Sequence, residues 1–168
     1  MELFNIIEQQ KLAKLLIAKM HKKNLKLAIA ESCTGGMIST ILTSVPGASN
    51  VFDRGLITYS NKSKIQLLGV KENSLKNYGA VSKEVVKEMV KGLLNISDAN
   101  IALSISGVAG PGSINPEKPE GLVWIAFGAK NSIIKTIKFN FGIIGRDNVR
   151  KKSSIKALNL LLDFLDSN

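Results

Sequence analysis

The run Glu31-Ser32-Cys33-Thr34-Gly35-Gly36 brings a hydroxyl, a thiol and two glycines together where the hydrophobic pattern changes from strand to helix. Before it, Leu25-Lys26-Leu27-Ala28-Ile29-Ala30 reads as a short buried strand; after it, Met37, Ile38, Ile41 and Leu42 recur near the helical period. Ser32 is therefore expected near a helix N-terminus, where main-chain N–H groups lack intrahelical partners and the helix dipole favours negative charge. A serine there suits two jobs. It is either a nucleophile beside donors that can hold an oxyanion or a phosphate, or an N-cap, with the glycines serving close packing of helix on strand.

A serine nucleophile needs a base, and the chain has one histidine, His21, at the polar end of the first helix. That position fits a C-terminal cap or a solvent-facing residue better than a Ser-His-Asp triad. The remaining option is a serine–lysine pair, in which a desolvated lysine of lowered pKa takes the hydroxyl proton. Thr58-Tyr59-Ser60-Asn61-Lys62-Ser63-Lys64 offers Lys64 in the first turn of a helix, where the dipole disfavours the ammonium, and Tyr59 at a strand tip, able to relay or orient the proton. The structural alternatives are a solvated helix lysine and a half-buried strand tyrosine. Cys33 is a stronger nucleophile when ionised, but it lacks a histidine partner and reads as a packing residue. Glu31 has either the helix N-terminus or a lysine as partner. Arg146 follows Gly142-Ile143-Ile144-Gly145; its planar fork of donors suits phosphate, and a helix-initiating surface arginine is the alternative.

The elements that must position these residues alternate helix and strand. Residues 2–22 form an amphipathic helix with Leu3, Ile6, Ile7, Leu12, Leu15, Leu16 and Met20 toward the core. A loop at Val45-Pro46-Gly47-Ala48-Ser49 precedes a strand from Arg54 to Tyr59. Asn61 reads as the N-cap of a short helix through Leu68, Ser74–Tyr78 as a helical turn ended by Gly79, and Ser82 as the cap of a helix to Asn95. Ile101–Ser106 has the continuous apolar pattern of a central strand and runs into the loop Gly107-Val108-Ala109-Gly110-Pro111-Gly112, and ligands of open α/β sheets bind at such strand ends. Residues 121–127 and 133–141 are expected to pair as an antiparallel hairpin, and a helix over 147–165 follows. The expectation is a single layered α/β/α domain with a mixed β-sheet over residues 1–168.

Composition narrows the function classes. With 168 residues, 45% of them hydrophobic and 21% charged, the chain has the profile of one globular domain rather than a disordered segment. No apolar run approaches the ~20 residues that span a bilayer, and the N-terminus has no secretory pattern, so the expected location is cytoplasmic, without a membrane partner. One cysteine rules out an intrachain disulfide, and one cysteine with one histidine cannot furnish an ordinary zinc site. The net charge of +10 fits nucleic acid or an anionic metabolite. The lysines that supply most of it are scattered, and aromatic residues make up only 5%, too few for stacking platforms, which argues against nucleic acid. A homo-oligomer is a possible assembly.

Five motifs in order, Ala30-Glu31-Ser32-Cys33-Thr34-Gly35-Gly36, Thr58-Tyr59-Ser60-Asn61-x-x-Lys64, Tyr78-Gly79-Ala80-Val81-Ser82, Ser106-Gly107-Val108-Ala109-Gly110-Pro111 and Lys118-Pro119-x-Gly121-x-Val123, together resemble the CinA C-terminal-domain family, and within it the stand-alone nicotinamide-nucleotide amidohydrolases. The resemblance runs from about Ala30 to Arg150. It implies hydrolysis of the carboxamide of nicotinamide mononucleotide to nicotinic acid mononucleotide and ammonia, a step of pyridine-nucleotide recycling, with no cofactor and no metal. The family's catalytic serine, tyrosine and lysine fall on Ser32, Tyr59 and Lys64. In the mechanism this supports, N–H groups about Thr34, Gly35 and Gly36 hold the oxyanion, while Gly107, Ala109 and Gly110 with Arg146 hold the 5′-phosphate. Two departures stand out: the N-terminal domain of many family members, with any pyrophosphatase activity it carries, is not expected here, and Pro111-Gly112-Ser113-Ile114-Asn115-Pro116 has fewer glycines than the family's loop. The competing expectation is a non-catalytic nucleotide or nucleic-acid binding module linked to competence or DNA damage.

Overall fold

The structure, a computed structural model, describes residues 2–113 and 115–167, with side chains from Ile7 onward. Leu3, Ile6 and Ile114 of the expectations above lie outside the described side chains. In chain order the elements are α1 (Glu2–Lys22), β1 (Leu27–Glu31), α2 (Met37–Thr43), a 3₁₀ turn (Ala48–Asn50), β2 (Phe52–Ile57), α3 (Asn61–Leu68), α4 (Glu72–Tyr78), α5 (Lys83–Ile96), β3 (Ile101–Gly107), β4 (Leu122–Ala129), β5 (Lys135–Asn140) and α6 (Arg146–Asp166).

The five strands form one mixed sheet in the order β2-β1-β3-β4-β5, parallel across the first three and antiparallel thereafter. Helices cover both faces, giving the layered arrangement expected. On one face α1, α2 and α6 bury Leu16, Ile38, Leu42, Leu158 and Leu161 against Ile29, Leu103, Ile105 and Ile125 of the sheet. On the other, Val85, Val86, Met89 and Leu93 of α5 pack with Leu68, Val70 and Leu75 over the small residues Ala28, Ala30, Ala102 and Ala126. Alanines on that sheet face leave α5 room to lie close. Gly92 lets α3 come equally near: a Cβ there would fall 2.0 Å from the Leu68 carbonyl oxygen. Burial of each large apolar side chain contributes roughly 1.5–3 kcal/mol to this frame.

The C-terminal ends of β1, β2 and β3 lie side by side, and the turns leaving them, 32–36, 58–60 and 108–121, meet at one edge of the molecule. Among the described residues no helix is long and apolar enough to cross a membrane.

Several boundaries differ from expectation. The α2 helix begins at Met37, with Gly36 in the N-cap place, so Ser32 is in a turn five residues ahead of it and not in its first turn. Two consecutive residues of positive φ, Gly35 at 60° and Gly36 at 92°, make that turn, which only glycine adopts without strain. Strand β2 ends at Ile57, so Tyr59 follows the strand instead of tipping it. Ser60, not Asn61, caps α3, its Oγ accepting from the Ser63 N–H at 3.0 Å. Ser82 caps α5 as expected. Helix α4 starts at Glu72, two residues early, and ends at Gly79 as expected.

Candidate functional site

The pleat of β1 sends successive side chains to opposite faces. Glu31, fully buried, turns toward α2. Its Oε2 accepts from the N–H groups of Gly36 at 3.0 Å and Ile38 at 3.1 Å, and its Oε1 accepts from the N–H and the hydroxyl of Ser39 at 2.8 and 2.7 Å. The carboxylate thus occupies the N-terminus of α2, meeting its dipole and free donors from inside the protein. The expectation that an oxyanion or phosphate sits on that helix end is corrected by this contact.

Ser32 faces the other way, toward α3. Lys64 extends from the first turn of α3 and is completely buried; its Nζ lies 3.1 Å from Ser32 Oγ, 2.6 Å from the Thr58 carbonyl oxygen and 3.3 Å from that of Tyr59. Desolvation lowers its pKa from 10.5 to about 8, and no carboxylate among the described residues pairs with it to oppose the shift. A neutral amine has two N–H donors and one lone pair. As an ammonium Nζ donates to Ser32 Oγ and to both carbonyls; once deprotonated it keeps two donors for the carbonyls and offers its lone pair to the Ser32 hydroxyl.

Cys33, next in the chain, is also buried, and burial pushes its thiol up to about 12. At neutral pH it is an un-ionised packing group, as its sequence context implied.

Ser32, Cys33 and Lys64 open on a cavity of about 190 Å³ completed by Tyr59, Ala80, Val81, Ser106, Gly107, Ala109 and Arg146. Tyr59 is 60% exposed, and its hydroxyl accepts from Arg146 Nη2 at 3.1 Å, while Arg146 Nη1 donates to the Gly110 carbonyl at 2.9 Å. Arg146 therefore braces the rim, linking Tyr59 to the loop after β3. That loop contains a cis Gly110–Pro111 bond and is fixed by the buried carboxylate of Glu120, which accepts from the Gly112 N–H at 2.8 Å.

The structure thus brings six of the expected residues to one cavity: Ser32, Tyr59, Lys64, Gly107, Ala109 and Arg146. Thr34, Gly35, Gly36 and Gly110 do not line it. The Gly35 N–H donates to the Ser32 carbonyl and the Gly36 N–H to Glu31, so neither amide is free for an oxyanion. The Thr34 carbonyl accepts from Arg150 at 2.9 Å. Among the described residues, the N–H groups of Cys33 and Thr34 are the ones in this turn that donate to no main-chain carbonyl, and the Cys33 amide meets its own thiol.

Two residues escaped sequence reasoning. Arg150 ties α6 to the 32–36 turn from one helical turn beyond Arg146. Ser106 lies in the wall of the cavity at 1% exposure, with no hydrogen-bond partner among the described residues, whereas Ser104, two residues earlier on the same face, donates to the Val86 carbonyl at 2.6 Å. Paired serines at i and i+2 in an otherwise apolar strand were the available signal. An unpaired hydroxyl facing a cavity is a ready contact for a polar ligand. Among the described residues no cluster of His, Cys, Asp and Glu could hold a metal ion.

Comparison with known proteins bears out the fold. Residues 9–165 match the family model of the CinA C-terminal domain. A CinA-like protein of Akkermansia muciniphila is 46% identical over 152 residues, covering 90% of this chain and 36% of that protein, and one of Thermotoga maritima is 42% identical over 159 residues, covering 95% and 38%. The chain thus spans little more than a third of the length of these relatives. The crystal structure of the competence/damage inducible protein CihA from Agrobacterium tumefaciens superposes with a TM-score of 0.91 at 39% identity, covering 95% of this chain and 96% of that one. A competence-damaged protein (CinA) superfamily protein from Escherichia coli gives 0.89 at 29% identity, covering 93% and 90%.

Proposed function

This chain belongs to the CinA C-terminal-domain family, and from that footing we propose that it is an amidohydrolase that converts nicotinamide mononucleotide to nicotinic acid mononucleotide and ammonia. The observation that carries the proposal is the buried Lys64 amine, lowered to about 8 and set 3.1 Å from Ser32 Oγ with no acidic partner among the described residues. A binding module has no use for a serine so activated.

Neutral Lys64 takes the Ser32 proton as Oγ attacks the carboxamide carbon, so the Oγ–C bond forms while the ammonium holds the proton. The N–H groups of Cys33 and Thr34, beside the nucleophile and bonded to no main-chain carbonyl, are the donors for the tetrahedral oxyanion. One such donor is worth about 2.7–4 kcal/mol in other acyl-transfer enzymes. Collapse breaks the C–N bond, and Lys64 returns its proton to the departing ammonia. Water, deprotonated by Lys64 in turn, adds to the ester carbon; the C–Oγ bond then breaks as Lys64 returns that proton to Ser32 Oγ, and the acid leaves. Every proton passes through Lys64, and Tyr59 shapes the rim under the grip of Arg146.

Purified protein incubated with nicotinamide mononucleotide is expected to release ammonia with or without a chelator. No ammonia, together with salt-sensitive binding of DNA, would replace this reading with the nucleic-acid module.

A further inference from the structure

The catalytic cavity, at about 190 Å³, is smaller than the roughly 300–1,000 Å³ that whole small-molecule ligands occupy. It has room for the carboxamide end of a nucleotide, and the sugar phosphate must extend beyond it. The three anion sites expected from the sequence already hold protein partners. Glu31 fills the N-terminus of α2, two of the five Arg146 N–H donors go to Tyr59 and Gly110, and the loop after β3 has its Val108 and Gly112 amides bonded and the Glu120 carboxylate within it.

Val81 is a wall shared with a second hollow of about 420 Å³. Three residues directly opposite one another on neighbouring strands lead from one to the other on a single sheet face: Ser106 on β3, Trp124 on β4 and Lys138 on β5. At about 4.8 Å between strands, this row carries a ligand some two strand widths from the nucleophile. The hollow holds three lysines, Lys83, Lys118 and Lys138, against Glu84 and Glu117. Lys83 lies 3.8 Å from Glu84, and Lys118 donates to the Tyr78 carbonyl, which fixes its ammonium at the mouth.

We infer that the Trp124 hollow is the subsite for the phosphorylated part of the substrate, with the indole flanking the sugar and Lys118 and Lys138 facing the phosphate. The identity of the substrate rests on the amidase reading above; the anion site itself stands on the hollow and its lysines.

Trp124 is the only tryptophan of the chain, so its emission reports the hollow directly. Titration of the full chain with ribose 5-phosphate is expected to change that emission saturably, and titration with ribose is not. Lys138→Ala, on an exposed edge strand and checked for the parent's circular dichroism, is expected to weaken the ribose 5-phosphate response about tenfold. Emission that stays constant while nicotinamide mononucleotide is hydrolysed, or a Lys138→Ala protein that binds as tightly as the parent, overturns the subsite and leaves the amidase reading intact. A phosphate-dependent emission change without any ammonia release supports the subsite and counts against the amidase.

Discussion

Arg146 reaches across 87 residues of sequence to donate a hydrogen bond from Nη2 to the hydroxyl of Tyr59 at 3.1 Å. That contact ties the phenol to α6, while Lys64 meets Tyr59 through the main-chain carbonyl. A proton path from Ser32 to Lys64 therefore needs no side-chain intermediary, and the phenol and guanidinium act as one brace.

A brace of two groups predicts coupled losses. Tyr59→Phe and Arg146→Lys should each reduce turnover, and the double variant should lose less than the sum, with a coupling energy of about 0.5–3 kcal/mol. Strictly additive losses in kcat/KM would show that the two residues act separately.

Ser32→Ala should lower ammonia release by at least about 10⁴-fold with the fold kept. Cys33→Ala should retain most activity, because a thiol held up near 12 supplies no thiolate at neutral pH. A dead, folded Cys33→Ala protein beside an active Ser32→Ala would reverse the assignment.

Lys64 makes two pH predictions of definite sign. The neutral amine is the base, so kcat/KM should rise with pH through an apparent pKa near 8, and Lys64→Arg, which stays protonated, should be inactive. The folded pKa lies below the unfolded value of 10.5, so between about 8 and 10.5 the unfolded chain binds the extra proton and stability rises with pH. The rise amounts to roughly 3 kcal/mol across that window and should be missing from Lys64→Met in pH-dependent unfolding curves.

Glu31→Gln removes the charge at the N-terminus of α2 and cannot accept all four hydrogen bonds without an NH₂ facing a donor. A stability loss of about 1.5–3 kcal/mol is expected in chemical denaturation, with reduced kcat from a loosened 32–36 turn. Unchanged stability would show that the helix end is satisfied by solvent.

Much of this was legible in the sequence because it depends on local pattern. The apolar run 101–106, the Ser82 cap and the hairpin of β4 and β5 follow from periodicity and turn residues. Ser32 and Lys64, the proposed nucleophile and base, were readable as a pair of residue types in strand-end contexts. What sequence could not assign was direction. Ser32 reads as a helix-end residue and Glu31 as partner of either that helix end or a lysine, whereas the pleat of β1 separates the two, and only the packed α2 decides that the carboxylate takes the helix. Arg146 was legible as a donor fork, but its acceptors, Tyr59 and Gly110, come from loops far away in the chain. Ser106 went unremarked because its meaning lies in an absent partner, which exists only once Ser104 is seen to have one.

Glu31 and Ser32 are adjacent, and one stabilises a helix while the other meets the base. Pairing of β1 displaced by a single residue would put Glu31 in the place of Ser32, presenting a carboxylate to Lys64, and Ala30 in the place of Glu31, leaving the α2 amides without their acceptor. Such a molecule would hold a Lys–Glu ion pair in place of a nucleophile, and it would be silent in an ammonia assay while keeping much of its secondary structure. Specific activity after refolding thus counts the fraction of chains whose central strands have aligned correctly, a quantity that circular dichroism cannot see.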